Sequence, residues 1–340
     1  MKQFRVICCT FFIFAFYSGV VTGCSIRAKA FRAVADGIAP SYSQQEKQAL
    51  KSQKLKAQGV DVPNPMLAFL GEEDMELVAS AFPIVIKMYE MMMLQDKKHE
   101  GLARMTGEFY VMYANAFVET PALFLSDDEY NKKNEAFVRA RKLYLRGRTL
   151  LLNSLEIKHP GSKAIFDSND EKAIDGVLSL CRIDDVEHLY WAGAASLAAF
   201  ALEPLNTEME SLVYSGHAML EKAGELHPSF NNGAIWEVLT KFYMAAPESL
   251  GGGYTKGEEA YKKAVQFATG HTPSLYVTYA ASFCIPKQDS KGFDDAIEKA
   301  LAIDARLNPE HTLMFTISQN YARWLKEHKE DFILGDGLIE

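Results

Sequence analysis

Residues whose type and spacing could support catalysis are few. Gly252 and Gly257 have the G-x4-G spacing of a phosphate-binding loop, but Glu258 and Glu259 stand where that loop needs Lys followed by Ser or Thr. Two carboxylates there repel phosphate, so Gly251-Gly252-Gly253 reads as the loop leading into a helix. The eight histidines include no His-Glu-x-x-His pair, and no Gly-x-Ser-x-Gly elbow exists. His227, His271 and His311 sit in turns near prolines and read as caps or surface groups. Asp127-Asp128-Glu129 and Asp184-Asp185 read as acids at helix N-termini, where the dipole favours them, and the twelve-residue calcium loop is missing. Met91-Met92-Met93, in the run MYEMMML, reads as core filling. These residues predict no enzyme activity, no metal and no cofactor.

Cys24 does carry a chemical expectation. Lys2 and Arg5 precede a dense apolar run, Val6 to Tyr17, which is shorter than the roughly 20 residues a spanning helix needs. Small residues follow, and Val21-Thr22-Gly23 stands directly before Cys24. The pattern resembles a relaxed bacterial lipobox, with Val21 in place of the commoner Leu. Such a signal is cut before the cysteine, whose thiol and amine are then acylated, because several chains hold a domain on a bilayer far better than one. The expected parts are a signal peptide at 1–23, a lipid-anchored tether and N-terminal helix at 24–65, and a helical domain at 66–340. An uncleaved anchor and a plain secretory signal are the other readings of the same run. Cleavage leaves 34 bases and 44 acids, and of the cysteines only Cys181 and Cys284 besides Cys24. Both lie in apolar helical patterns and are expected as buried free thiols.

The whole chain has 340 residues, 48% of them apolar, and a formal charge of −8. That excludes a disordered chain, and it argues against a nucleic-acid partner, since phosphate needs a basic face. From Met66 onward nearly every segment has a 3.6-residue apolar period, and period-2 runs bounded by turns are missing. The expected fold class is all-α.

Self-comparison adds an order to the helices. FYVMYANAF at 109–117 matches LYVTYAASF at 275–283 almost residue for residue. LYWAGAASL at 189–197 and IWEVLTKFY at 235–243 are weaker copies. The shared pattern resembles helix A of tetratricopeptide repeats, with a small residue (Ala114, Ala194, Thr240, Ala280) where helix B approaches. Helix B candidates follow, with small pairs Ala136/Ala140, Ala218/Ala223, Ala260/Ala264 and Ala296/Ala300. The steps between copies are 40 to 46 residues or a multiple, longer than the standard 34, so the prediction is an irregular, compact solenoid of hairpins. If helix A lines the concave side, the inward positions are Val111 and Asn115, Trp191 and Ala195, Glu237 and Lys241, Val277 and Ala281. That apolar groove would take a partner helix or an apolar ligand, with Trp191 as the first anchor. The alternative is that these side chains pack on further helices.

The stretch 247–304, PESLGGGYTKGEEAYKKAVQFATGHTPSLYVTYAASFCIPKQDSKGFDDAIEKALAID, resembles the T-component family of TRAP transporters, the TatT-type lipoproteins. The resemblance runs from Cys24 to about residue 330. It implies a periplasmic lipoprotein with repeat-like helices, assembled as a trimer. The implied partner is the solute-binding protein of a tripartite ATP-independent periplasmic transporter, and the implied ligand is an apolar molecule held in a cleft or pore during solute import. A rival reading is a general envelope-assembly repeat lipoprotein that binds outer-membrane assembly factors. An enzyme using carboxylates in a helical cleft is a third, and no nucleophile–base pair supports it.

Overall fold

The computed structural model describes residues 24–60, 64, 66–268 and 272–334, with side chains from residue 28 onward. The expected signal segment 1–23, His271, Pro63 and Pro65, and the side chain of Cys24 lie outside these. The described residues form helices joined by turns and loops and contain no strand, so the fold is all-α.

Helix α1 spans Cys24–Ile38 and α2 spans Tyr42–Ala57, so the segment read as a tether is itself a helix. Helix α3 follows at Met75–Gln95, started by Asp74, whose carboxylate accepts from the Glu76 and Leu77 amides. It buries Val78, Phe82 and Ile86 and leaves Leu77, Ile84, Met88 and Met91 exposed on its outer side. Met91 is therefore a surface residue, whereas Met92 and Met93 pack on the small cluster of Ala35, Ala39 and Leu102. Helix α3 is also long and apolar enough to cross a membrane, but it packs on the body through that buried face.

Helix α4, Glu100–Ala114, packs most extensively on α5, Tyr130–Lys158. Glycines set that approach. A Cβ on Gly147 would lie 2.8 Å from Val111 Cγ2 and 2.9 Å from the Gly107 carbonyl. After α6, Glu171–Leu180, helix α7 at Val186–Ala201 pairs with α8 at Val213–Leu226. Gly193 takes the close approach there, since a Cβ on it would meet the Gly216 carbonyl at 2.7 Å. The next pairs are α9 (Ala234–Ala245) with α10 (Tyr254–Phe267) and α11 (Pro273–Tyr279) with α12 (Ser290–Leu301). Helix α13, Thr312–Glu327, closes the array on α11 and α12. This succession is compatible with the hairpin order read from the sequence. Ala140, Ala223, Ala264 and Ala300 are fully buried as helix B small residues, while Ala136 is half-buried.

Besides the cluster at Ala35, Ala39 and Leu102, the interior holds one large cluster running from α3 to α10 and taking in Leu275, Leu313 and Ile317, and a small one shared by α11, α12 and α13. Leu151, Leu152, Leu155, Leu189 and Leu220 have no exposed surface, and each contributes on the order of 2 kcal/mol by leaving water. Cys181 lies in the large cluster and Cys284 in the small one, both buried and free, so no disulfide joins them.

Helix α1 is fixed by polar contacts at its C-terminal end. Arg104 donates to the Pro40 carbonyl at 3.0 Å and is ringed by Glu108, Glu187 and Glu100. Tyr89 donates to the Ile38 carbonyl at 3.0 Å, and His99 meets Asp36 at 3.2 Å. Gly101 allows this contact, because a Cβ there would sit 2.1 Å from the Ala39 carbonyl.

Candidate functional site

The two near-identical sequence copies share a backbone feature that periodicity could not reveal. Helix α4 widens into a π turn at Asn115–Glu119, and α11 does the same at Ala280–Cys284. In each, the residue before a proline, Thr120 or Ile285, donates to the carbonyl five residues back. Pro121 and Pro286 lack an amide to continue the ladder, and the extra residue shifts the phase of the helix beyond. Such turns are frequent at functional sites.

The first π turn presents Asn115, which is exposed, and Glu119, whose carboxylate accepts from the Tyr144 hydroxyl. Burial pushes the Glu119 carboxyl above its ordinary value and the Tyr144 hydroxyl well above its own. Helix α9 adds Glu237 and Lys241, one turn apart, with Lys241 Nζ at 2.8 Å from Glu237 Oε1. Helix α11 completes the carboxylate's shell, Ser274 and Thr278 donating at 2.9 and 3.1 Å. Burial opposes ionisation of Glu237, but Lys241 and the two hydroxyls outweigh it and hold the group below its usual range. Lys241 is raised in turn: burial lowers it, and Glu237 outweighs that. Glu119 and Tyr321 of α13 also lie within the electrostatic reach of Lys241. Four helices, α4, α9, α11 and α13, thus converge on one charged cluster. The Lys241 side chain stays 55% exposed, while Glu237 beneath it is 14% exposed. Among the aromatic groups are Tyr190 with Trp191 and Phe230, and Phe124 with Tyr321 and Trp324.

The positions expected on the concave side divide. Asn115 and Lys241 are open, and Glu237 joins them as the buried support. Trp191 is half-buried against Tyr190, with ring centroids 4.9 Å apart, and Ala281 is half-buried in the π turn. Val111, Ala195 and Val277 are interior residues, at 4%, 0% and 5% exposure, and do not reach an open face. Val111 faces Gly147 of α5. Val111, Ala195 and Val277 therefore pack on further helices, Trp191 and Ala281 are only partly covered, and the fully open members, Asn115 and Lys241, are polar. Glu119, Tyr144, Ser274, Thr278 and Tyr321 escaped the sequence reading because the repeat template marks none of those positions.

His159, Cys181 and Asp185 also bring three potential ligand atoms within 4.8 Å of one another. The Lys158 ammonium lies there already, 2.5 Å from Asp185 Oδ1. Burial pushes the Cys181 thiol up to about 12, so it stays protonated. The arrangement is a neutralised helix junction, in which Asp185 accepts from the Arg182 amide at the start of α7. The acids of Asp127-Asp128-Glu129 likewise form a short turn before α5. At the glycine run, Gly251 and Gly253 take φ of 90° and 138°, and a Cβ on Gly252 would strike the Ala246 carbonyl at 1.9 Å, so this segment is the tight lead-in to α10.

Comparison with known proteins agrees with the resemblance seen at 247–304. The chain matches the family model described as TRAP transporter T-component over residues 71–333. It is also 44% identical over 329 residues to a protein of Treponema pallidum (strain Nichols) named "Uncharacterized protein", a match covering 96% of this chain and 98% of that protein. On these matches, the chain belongs to the TRAP transporter T-component family.

Proposed function

We propose that this chain is a non-enzymatic, lipid-anchored periplasmic scaffold that docks the solute-binding protein of a TRAP transporter. A role in TRAP transport comes with its family; the partner, the anchor and the compartment are the reading proposed. In this reading residues 1–23 are cleaved as a signal, Cys24 carries the acyl chains, and residues 66–340 form the docking body.

The observation that carries the reading is the Lys241–Glu237 pair. The carboxylate is held by Lys241, Ser274 and Thr278, so the half-exposed ammonium is fixed in place before any partner arrives. Preorganised charge of that kind favours recognition of a partner with an acidic or amide-rich surface. Because the fully exposed positions, Asn115 and Lys241, are polar, the geometry favours a protein partner over an apolar ligand. An apolar ligand would have to use the Tyr190, Trp191 and Phe230 rings instead. The exposed stripe of Leu77, Ile84, Met88 and Met91 on α3 supports self-association of the chain.

Calorimetry with a purified TRAP solute-binding protein from the same organism tests the proposal. Stoichiometric binding that weakens when Lys241 is replaced is the expected result. No heat and no co-elution, with both proteins folded, would sink it.

A further inference from the structure

Charge is divided unevenly along the chain. Residues 24–60 carry seven Lys and Arg against two acids, whereas residues 61–340 carry 27 against 42. The basic excess lies on α1 and α2, and α2 buries none of its residues. Past Gln45, which donates to Glu187 at 3.3 Å, no side chain of α2 hydrogen-bonds to the body among the described residues. Lys47, Lys51 and Lys54 follow the i, i+4, i+7 spacing that puts them on one helix face. All three are exposed, and among the described residues none forms an ion pair. Glu46 is the lone acid of α2, so the stripe is not neutralised within its own helix.

We propose that this lysine stripe binds the anionic phospholipid headgroups of the membrane that carries the chain, as a second contact beside the acylated Cys24. For its setting the proposal rests on the lipid-anchored reading. Stable anchoring commonly pairs acyl chains with a basic patch, and each lysine near an anionic surface adds about fivefold in affinity. The geometry fits. Helices α1 and α2 both run from the clamp at Ala39-Pro40, and their 15 and 16 residues make them roughly 22 and 24 Å long. Lys47, Lys51 and Lys54 lie roughly 10 to 21 Å from that clamp along α2, a span similar to the one from the clamp back to Cys24. The acidic body is repelled by the same surface, so the arm holds it away. The clamp sits on Arg104, near the start of α4, while the open cluster begins at Asn115 beyond its end, which leaves the docking face free of the membrane.

The test uses the unacylated chain 24–340 with Cys24→Ser, floated with vesicles of phosphatidylcholine alone or enriched in phosphatidylglycerol. Salt-sensitive binding to the anionic vesicles is expected, with about a hundredfold loss in the triple variant K47Q/K51Q/K54Q. Those side chains are exposed and carry no hydrogen bond or ion pair among the described residues, so the helical circular-dichroism signal should not change. Equal binding to both vesicle types, or an unchanged triple variant, overturns the proposal and leaves the anchor reading standing. An unmodified Cys24 on the chain from cells, with anionic-vesicle binding retained, overturns the anchor and leaves the stripe. If the triple variant keeps its vesicle binding and loses the solute-binding protein, the stripe is a protein-docking surface and the proposal fails.

Discussion

Lys241 Nζ stands 2.8 Å from Glu237 Oε1 on α9, and that carboxylate also receives the hydroxyls of Ser274 and Thr278 from α11. One carboxylate therefore ties α9 to α11 while leaving an ammonium open to solvent.

Replacing Lys241 by Met should weaken the solute-binding protein about tenfold or more, the scale of a lost charge-assisted contact at an interface. Stability should fall by less than about 1 kcal/mol, because Glu237 keeps both hydroxyl donors and the lysine is largely solvated. Calorimetry and urea unfolding on the same variant separate the two. A stability loss with no change in binding would make the pair structural only.

Gly147→Ala should destabilise the chain by about 1–3 kcal/mol, since the added methyl meets Val111 Cγ2 at 2.8 Å and the Gly107 carbonyl at 2.9 Å. Neither can retreat without parting α4 from α5. Thermal unfolding should show a lowered midpoint. Gly176→Ala, where a Cβ would meet nothing within 4 Å, is the control and should not lower it.

The Glu108 carboxyl is pushed by burial up to about 7, above its unfolded value near 4.5. Between those values the folded chain binds more protons than the unfolded chain, so this group makes stability fall as pH rises through the window. Glu108→Gln should remove that part of the slope. Arg104 keeps Glu187 and Glu100, so the clamp persists in the variant. Urea unfolding at pH 5 and pH 8 would show a smaller decline for the variant; parallel declines would refute the assignment.

Ile84→Asp with Met88→Asp places two charges on the exposed side of α3, where neither side chain is buried. If the chain self-associates through that stripe, sedimentation velocity should show the variant shifted to monomer with unchanged helical content. An unchanged distribution of species would exclude this face as the interface.

Much of the architecture could be read directly from residue order. Apolar periodicity gave the helices, and the small residues Ala114, Ala140, Ala223, Ala264, Ala280 and Ala300 marked contact sides that are fully buried in the fold. The repeated FYVMYANAF and LYVTYAASF gave the pairing of distant copies and, with the stretch 247–304, the family. The candidate site was legible only in part. Asn115 and Lys241 were found by repeat spacing, whereas Val111, Ala195 and Val277 met the same rule and are buried.

The sequence by itself determined helix content and family membership, because these depend on local periodicity and on motif similarity along the chain, and the fold is compatible with the hairpin order that self-similarity suggested. Only the tertiary structure decided which side chains stay open. Helix rotation is set by contacts such as Gly107 against Gly147, and by π turns that insert a residue of phase without changing the apolar pattern. The same holds for the clamp on α1, which joins Pro40, Arg104 and Glu187. Groups so far apart in the chain meet only when the packed helices bring them together, and no spacing rule encodes that meeting.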